Sequence, residues 1–308
     1  MLINKLFKTA FTLIELLVVI AIIGILSGLI VISMSGVTNK ANIAKAQIFS
    51  NSLRNSLMAD MIAEYKFEGD ATNSWGDSEG TAYGPTYKTS SECLSGQCIN
   101  FDGIDDYVDI SNVDNLKSST GTISIWFKWT IGDVNVLFSL IDKDTAQLDS
   151  MQLGLGNWTG GQTDESVGFL YRDASIYKII GYYKNGTYTY RDNNWHNIVM
   201  TVGENYNKMY FDGKEVDLTY SYGSSSVGGY FSQNTNIDTA EIGARLYNIT
   251  TRDTYFGGSI DDLRIYDIAI PISQIKEQYY AGLNKLLISG NISSEEYVLR
   301  INNNISYE

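Results

Sequence analysis

Histidine, cysteine and proline are nearly missing from this chain: one, two and two of them in 308 residues. A single histidine excludes the usual zinc sites, which take four ligands. The two cysteines, Cys93 and Cys98, therefore read as a small-loop disulfide made outside the cytoplasm, pinning a local turn. His196 has no serine or cysteine signature around it, so it reads as packing and not as part of a nucleophilic triad. Basic charge is short too, with 22 Lys plus Arg against 35 Asp plus Glu and a net charge of −13. No basic run reaches the length of a nucleic-acid arm, so this balance excludes nucleic acid as a partner. It leaves carboxylates for a hard cation such as calcium. What the chain has in quantity is tyrosine, 22, and glycine, 28, the composition of a β-rich exported domain.

Charge is absent altogether from Leu16 to Asn39. As a helix that stretch spans about 36 Å, enough for a hydrocarbon core of roughly 30 Å. It is too long for the apolar region of a secretory signal peptide, and no clear cleavage site follows it. Glu15 stands at its mouth, where a carboxylate left in lipid costs about 2.5–3.5 kcal/mol and needs a partner. In front lie Lys5 and Lys8, then Thr9-Ala10-Phe11-Thr12-Leu13-Ile14-Glu15. This arrangement resembles the class III signal of type IV pilins and type II secretion pseudopilins. The resemblance implies that prepilin peptidase cuts between Ala10 and Phe11 and that Phe11 is N-methylated. Ala10 stands where the family usually has glycine. It also implies that Glu15 drives subunit assembly by neutralising the Phe11 amine of a neighbouring copy, since an unpaired charge inside an apolar filament is costly. Lys5 and Lys8 keep the leader in the cytoplasm and send the rest outside.

Val37, Ala41, Ala44, Ile48, Leu53, Leu57 and Met61 recur at near-helical steps without an intervening proline, so one helix is expected from Thr12 to Met61. The period changes at Glu64-Tyr65-Lys66-Phe67. From there to Ile270, short alternating runs lie between Gly, Asn, Asp and Ser turns. Thr122–Trp129 and Trp195–Val202 alternate well, and Lys208–Phe211 leads into Asp212-Gly213, a primed hairpin turn. Such spacing predicts an antiparallel sandwich. After Pro271, the stripe Ile275, Tyr279, Leu283, Leu286 and Leu287 predicts a helix capped by Ser273 and closed by Gly290. Ser293-Ser294-Glu295-Glu296 reads as a capping box for a last helix to Ile301. The fold class is α+β.

Within the strand-rich part come Tyr65-Lys66-Phe67-Glu68-Gly69 with Asn73-Ser74 and Gly76, then Asn100-Phe101-Asp102-Gly103 with Asp106-Tyr107-Val108. Trp195-His196, Tyr210-Phe211-Asp212-Gly213 and Gly258-Ser259-Ile260-Asp261-Asp262-Leu263-Arg264-Ile265-Tyr266 follow. In this order they resemble the laminin-G-like jelly roll of the concanavalin A-like lectin and glucanase superfamily, over Tyr65 to Tyr280. That implies two stacked, curved antiparallel sheets, a structural calcium, and a carbohydrate site on the concave face or rim loops. With both resemblances, the chain divides into a leader (1–10), a pilin helix (11–62), a jelly-roll head (63–270) and a helical tail (271–308).

Strand parity puts Asp261 on one face with Leu263 and Ile265, and Asp262 on the other with Arg264 and Tyr266. An acid on an apolar face must be hydrogen-bonded or bound to a cation. On the resemblance, calcium would take Asp261, Asn73 and Asp77, although Asn73 stands where an aspartate is more usual. The alternative is an acid satisfied by hydrogen bonds. Glucanases of the superfamily carry two glutamates flanking an aspartate on one strand, the paired acid and nucleophile of hydrolysis. No such pattern is present and Glu241 stands alone, so no catalytic residue and no enzyme are expected. Trp158, Tyr171, Tyr182, Tyr183, Tyr188 and Tyr190 are aromatics that could stack on a sugar. The sequence does not locate a ligand site.

The expected protein is thus a pilin-like filament subunit, membrane-stored by its single span and then extracellular, displaying a lectin-like adhesive head. Its partners would be further copies of itself, prepilin peptidase, the pilus or secretion assembly machinery, the membrane before assembly, and a glycan. A type II secretion pseudopilin is the alternative, and a membrane-anchored glycosidase the third reading.

Overall fold

The computed structural model describes residues 13–24, 27, 59–110, 112–132, 134–143, 149–156, 166–173, 175–184, 190–229, 231, 237–246 and 251–305. By its contacts the chain divides into two units, Met1–Phe49 and Ser50–Glu308. In the first, 13–24 form helix α1. Among the described residues no helix is long and apolar enough to cross a membrane. Most of the helix expected from Thr12 to Met61, and the cleavage residues Ala10 and Phe11, lie outside the described residues.

In the second unit the strands run β1 (Met61–Tyr65), β2 (Gly80–Tyr83), β3 (Thr86–Lys88), β4 (Cys98–Asp102), β5 (Tyr107–Ile110) and β6 (Gly121–Ile131). Next come β7 (Val134–Ile141), β8 (Ser150–Gly156), β9 (Val167–Asp173), β10 (Ile176–Tyr183), β11 (His196–Gly203) and β12 (Tyr206–Phe211). The last are β13 (Lys214–Glu215), β14 (Thr219–Tyr222), β15 (Thr239–Ile242), β16 (Arg245–Leu246), β17 (Arg252–Asp253) and β18 (Gly257–Tyr266). Helices α2 (Ile272–Ser289) and α3 (Ser294–Ile305) close the chain. One sheet has the order β13-β12-β11-β6-β18-β4-β3, with β1 also on β18. The other has the order β14-β10-β9-β8-β7-β15-β5-β2, and β16 and β17 form a small ribbon. This is the antiparallel sandwich that the strand spacing predicts and the jelly roll that the resemblance implies.

The core lies between the sheets because alternate residues of each strand point there. From β6 it takes Ile123, Ile125, Phe127 and Trp129, and from the facing sheet Leu140, Leu153, Phe169 and Ile242. The turn at Asp212 (φ 49°) and Gly213 (φ 77°) joins Phe211 to Lys214 with both central residues left-handed, the expected primed type.

Three expectations need correction. Met61 does not end a helix: it opens β1, opposite Tyr266. Its spacing fits both periods, and β18 extends beyond β4, which leaves Leu263–Tyr266 a free edge for residues 61–65 to pair with. Ser273 does not cap α2, whose N-cap is Pro271; the Pro271 carbonyl accepts from Gln274 and Ile275. Gly290 does close α2 in the left-handed conformation, and Ser293 Oγ does accept from Glu296 N, although α3 runs to Ile305. The third correction is β18. A bulge falls between Asp261 and Arg264, with Asp262 at φ 48°, so strict alternation is lost. Ile260, Leu263 and Ile265 all reach the core, and Asp261 does not share the face of Leu263.

Helix α2 lies on the outer face of the β11-β6-β18 sheet. Trp126 stacks flat on Tyr279, ring centres 5.6 Å apart, and joins Trp195, Leu283 and Leu286 in a second apolar cluster. Gly282 makes this approach possible, since a Cβ there would sit 2.1 Å from the Trp126 ring. A glycine inside a helix costs about 1 kcal/mol relative to alanine, yet here alanine must displace an indole wedged against a sheet. Gly282→Ala is therefore expected to lower stability by about 1–3 kcal/mol, as overpacking does. Denaturant unfolding of the two proteins checks this; a stabilised variant would show that α2 does not dock here.

Candidate functional site

The two outer faces of the sandwich differ. The face beneath α2 is closed, partly by the loop of the Cys93–Cys98 disulfide, which forms as expected and is fully buried. Asn291 Nδ2 donates to Cys93 O, and Trp195 Nε1 to Glu92 O, tying helix and sheet to that loop. The loop also answers Asp261. Asp261 Oδ2 accepts from Leu94 N and Ser95 N, and Oδ1 from Asp262 N. These three amides give both carboxylate oxygens of Asp261 a hydrogen-bond donor. Its carboxyl is held well above the usual range by burial and by the neighbouring charge of Asp262. Asp262 goes the opposite way despite its burial, because it meets Arg264 at 3.3 Å and contacts Lys285 of α2. Arg264 also pairs with the buried Glu64.

The other members of the expected calcium set are placed elsewhere in the hydrogen-bond network. Asn73 Oδ1 accepts from Glu64 N and Trp75 N, and Asp77 is exposed. Among the described residues, the acidic grouping close enough to share a cation is Asp102, Asp105 and Asp106. Its oxygens fold the turn after Phe101: Asp102 Oδ1 accepts from Ile104 N and Asp105 N, and Asp106 Oδ2 from Asp102 N.

The outer side of the second sheet is polar, and its centre is enclosed: Ser139, Ser150, Gln152 and Glu241 are buried, while Tyr83 at its edge is exposed. Because Phe169, Tyr171, Met151, Leu153, Ala240, Ile242, Val108 and Ile110 point inward, the residues between them point out. They include Leu170 and Arg172 on β9, Ser150 and Gln152 on β8, Glu241 on β15, and Tyr107 and Asp109 on β5. Register places Asp109 between Glu241 and Thr81, and Tyr107 opposite Tyr83. The Tyr83 and Tyr107 rings stack 4.8 Å apart, and the Arg252 guanidinium lies 3.8 Å from the centre of Tyr107. Arg252 Nε donates to Glu241 Oε1 at 2.7 Å. Glu241 is fully buried and, among the described residues, its Oε2 has no hydrogen-bond partner. Burial pushes this carboxyl up to about 7 against the pull of Arg252.

The aromatics singled out from sequence divide by strand parity. Tyr171 and Tyr190 belong to the inter-sheet core, and Tyr183 packs against it. Tyr182 opposes Gly168 on the outer face and is half-buried. Trp158 and Tyr188 lie outside the described residues. Tyr83, Tyr107 and Arg252 were not singled out, although the alternation Tyr107-Val108-Asp109-Ile110 carried the signal for two of the outward groups on β5.

A face covered by α2, a polar face on the other sheet and this strand order meet a family description. Residues 102–276, more than half of the chain, match the model of the concanavalin A-like lectin/glucanases superfamily. The chain belongs to that superfamily. Residues 8–31 match the prokaryotic N-terminal methylation motif. No curated protein matches the chain. Among solved structures, domain 4 of AbnA, a GH43 extracellular arabinanase from Geobacillus stearothermophilus, in complex with arabinotriose, has TM-score 0.50 and 17% identity, covering 71% of this chain and 97% of that one. The receptor binding domain of botulinum neurotoxin C/D mosaic serotype has TM-score 0.51 and 14% identity, over 73% of this chain and 52% of that one. The binding domain of Paraclostridial Mosquitocidal Protein 1 has TM-score 0.51 and 11% identity, over 74% and 53%. The chain thus spans about half the length of the last two, and at these identities the likeness is one of fold.

In this superfamily member His196 is a structural cation. Its Nδ1 lies 2.8 Å from Asp212 Oδ2 and its Nε2 3.2 Å from Asp192 Oδ1, beside Phe127, Phe211 and Tyr190. Burial alone would lower its pKa; the two carboxylates overcome that and hold it up to about 9. The folded pKa exceeds the unfolded 6.5, so this stabilisation is complete below pH 6.5 and lost as pH rises through 9. Wild-type stability should fall by on the order of 2 kcal/mol across that interval. His196→Gln should be less stable at pH 6 and lack this alkaline limb. Urea unfolding from pH 6 to 9.5 decides it, and parallel pH profiles for the two proteins would refute the ion pair.

Proposed function

We propose that the chain is a type IV pilin-like filament subunit that carries a sugar-binding head outside the cell. The observation that carries this reading is the joining, in one chain, of a prokaryotic methylation motif to a lectin-superfamily sandwich. Each half explains the other. On the family resemblance, Glu15 at the lip of the apolar rod would pair with the Phe11 amine of a neighbouring copy, an arrangement that a filament provides. A head borne on a filament needs one face that is not consumed by its own fold. The sheet carrying Tyr107, Asp109 and Glu241 has a polar, aromatic outer face, while α2 and the disulfide loop cover the other sheet.

Prepilin peptidase would release the leader after Ala10 and methylate Phe11. The subunit would wait in the membrane until the assembly machinery draws it into the fibre. Pilus and pseudopilus share these steps; a sugar-binding face favours display on a pilus. A catalytic reading has one observation behind it, the raised carboxyl of Glu241 opposite Asp109. Hydrolysis needs that acid at the glycosidic oxygen, and Glu241 is sealed beneath Arg252 and Tyr107. Binding is therefore the better reading.

Mass spectrometry of the exported protein should show a chain beginning at N-methylated Phe11. Glu15→Ala should leave the subunit in the membrane and abolish filaments, with the head still folded. An intact Met1 end on exported material, or normal filaments from Glu15→Ala, would refute the filament reading.

A further inference from the structure

We propose that the part-exposed corner of the polar face formed by β2, β5, β15 and β17 is a subsite for an uncharged saccharide. Tyr83 and Tyr107 would supply the stacking surface, and Arg252 and Asp109 the polar contacts. This rests on the sugar-binding reading and assigns it residues and a ligand class.

Four observations converge on this corner. Tyr83 is 47% exposed and backed by the parallel ring of Tyr107, a rigid amphipathic platform. Arg252 is held at Nε by Glu241 and pressed flat on Tyr107, yet among the described residues its terminal nitrogens make no hydrogen bond. Its fork is fixed in place with donors left over. Asp109 uses Oδ1 to accept from Thr239 Oγ1 and keeps Oδ2 as an acceptor at the surface. Below them the buried Glu241 Oε2 has no hydrogen-bond partner among the described residues, where a buried polar atom ordinarily has one. Free donors and free acceptors beside an aromatic face match sugar hydroxyls, which donate and accept, attached to a ring with an apolar side.

Charge selects among sugars. Glu241 balances Arg252, and Asp253 grips Arg245 in a two-pronged pair of 2.7 and 2.5 Å. Asp109 then leaves the corner with no surplus cation, on a chain of net charge −13. An anionic sugar would be repelled by Asp109 and by the negative charge of the chain, which Arg252 offsets only in part, since charge complementarity governs encounter and register. An uncharged one meets no such penalty.

The test uses the full chain in detergent micelles against two oligosaccharide sets on one array, neutral hexose and pentose oligomers and their uronic-acid and sialylated counterparts. Titration calorimetry on the hits then compares wild type with Tyr83→Ala, Asp109→Asn and Tyr182→Ala. Neutral ligands should bind, with affinity reduced tenfold or more in Tyr83→Ala and in Asp109→Asn, and acidic ligands should not compete. Binding confined to acidic oligosaccharides would overturn the ligand class. Binding that survives Tyr83→Ala and Asp109→Asn but falls in Tyr182→Ala would overturn the subsite and leave sugar binding standing elsewhere on the face. No binding to either set would overturn both this assignment and the sugar-binding function beneath it.

Discussion

The head depends on how the sandwich accommodates two adjacent aspartates in its most heavily paired strand. Strand β18 pairs with β6, β4 and β1, and Asp261-Asp262 falls in the middle of it. Two like charges side by side and out of water cannot both be accommodated as bare ions. The bulge separates them. Asp261 turns to three backbone amides, two of them from the disulfide loop, while Asp262 turns to Arg264 and to Lys285 of α2. Each solution recruits another segment. The disulfide loop and the C-terminal helix are held on this face by the same pair of acids that could not lie there unaided. A buried ion pair contributes little net stability over an apolar contact. Its effect here is to fix which segments cover the face, while Trp126, Tyr279 and Leu283 supply the apolar burial.

Closing one face decides the character of the other. A sandwich of two sheets has two outer surfaces, and here one is covered by α2 and the disulfide loop. The remaining sheet keeps hydrogen-bonding side chains pointing out, and its arginines are tied to acids or laid on rings. Arg252 meets both conditions, bonded to Glu241 and flat on Tyr107. Such a surface is rigid before any ligand arrives, so little ordering entropy opposes binding.

Much of this was legible in the residues. The strand windows around Thr122 and Trp195, the Asp212-Gly213 turn, the Ser293 capping box and the Cys93–Cys98 loop all carry local signals, and all appear as expected. What failed was parity across an irregularity. Alternation through Asp261 and Leu263 assumes a regular ladder, and a bulge, which moves one residue out of step, leaves no mark in period-two hydrophobicity. Tyr171 and Tyr190 lie in the core, a place the sequence left open because a tyrosine serves equally well there or on a sugar platform. Met61 satisfied both periods, and only the free edge of β18 decided between them. The Tyr83–Tyr107–Arg252 stack joins three strands distant in sequence, so no local pattern announces it. The amides that bond Asp261 come from a loop more than 160 residues away, with separations of 167 and 166, so nothing near the aspartate in sequence announces them.

A shallow polar face with two stacked rings binds a sugar weakly by itself, because few groups are desolvated and each hydroxyl exchanges one hydrogen bond with water for another. Weakness of this kind is compatible with a head repeated along a fibre. Once one head is seated on a surface bearing many copies of a glycan, its neighbours bind at the effective concentration set by their spacing, and avidity exceeds a single contact by orders of magnitude. On the proposed reading, the methylation motif and the sandwich are linked by more than adjacency in one chain. If the Glu15–Phe11 pairing builds the polymer, each head needs only a rigid, moderately selective face, and burying one face under α2 while leaving the other polar is sufficient for that.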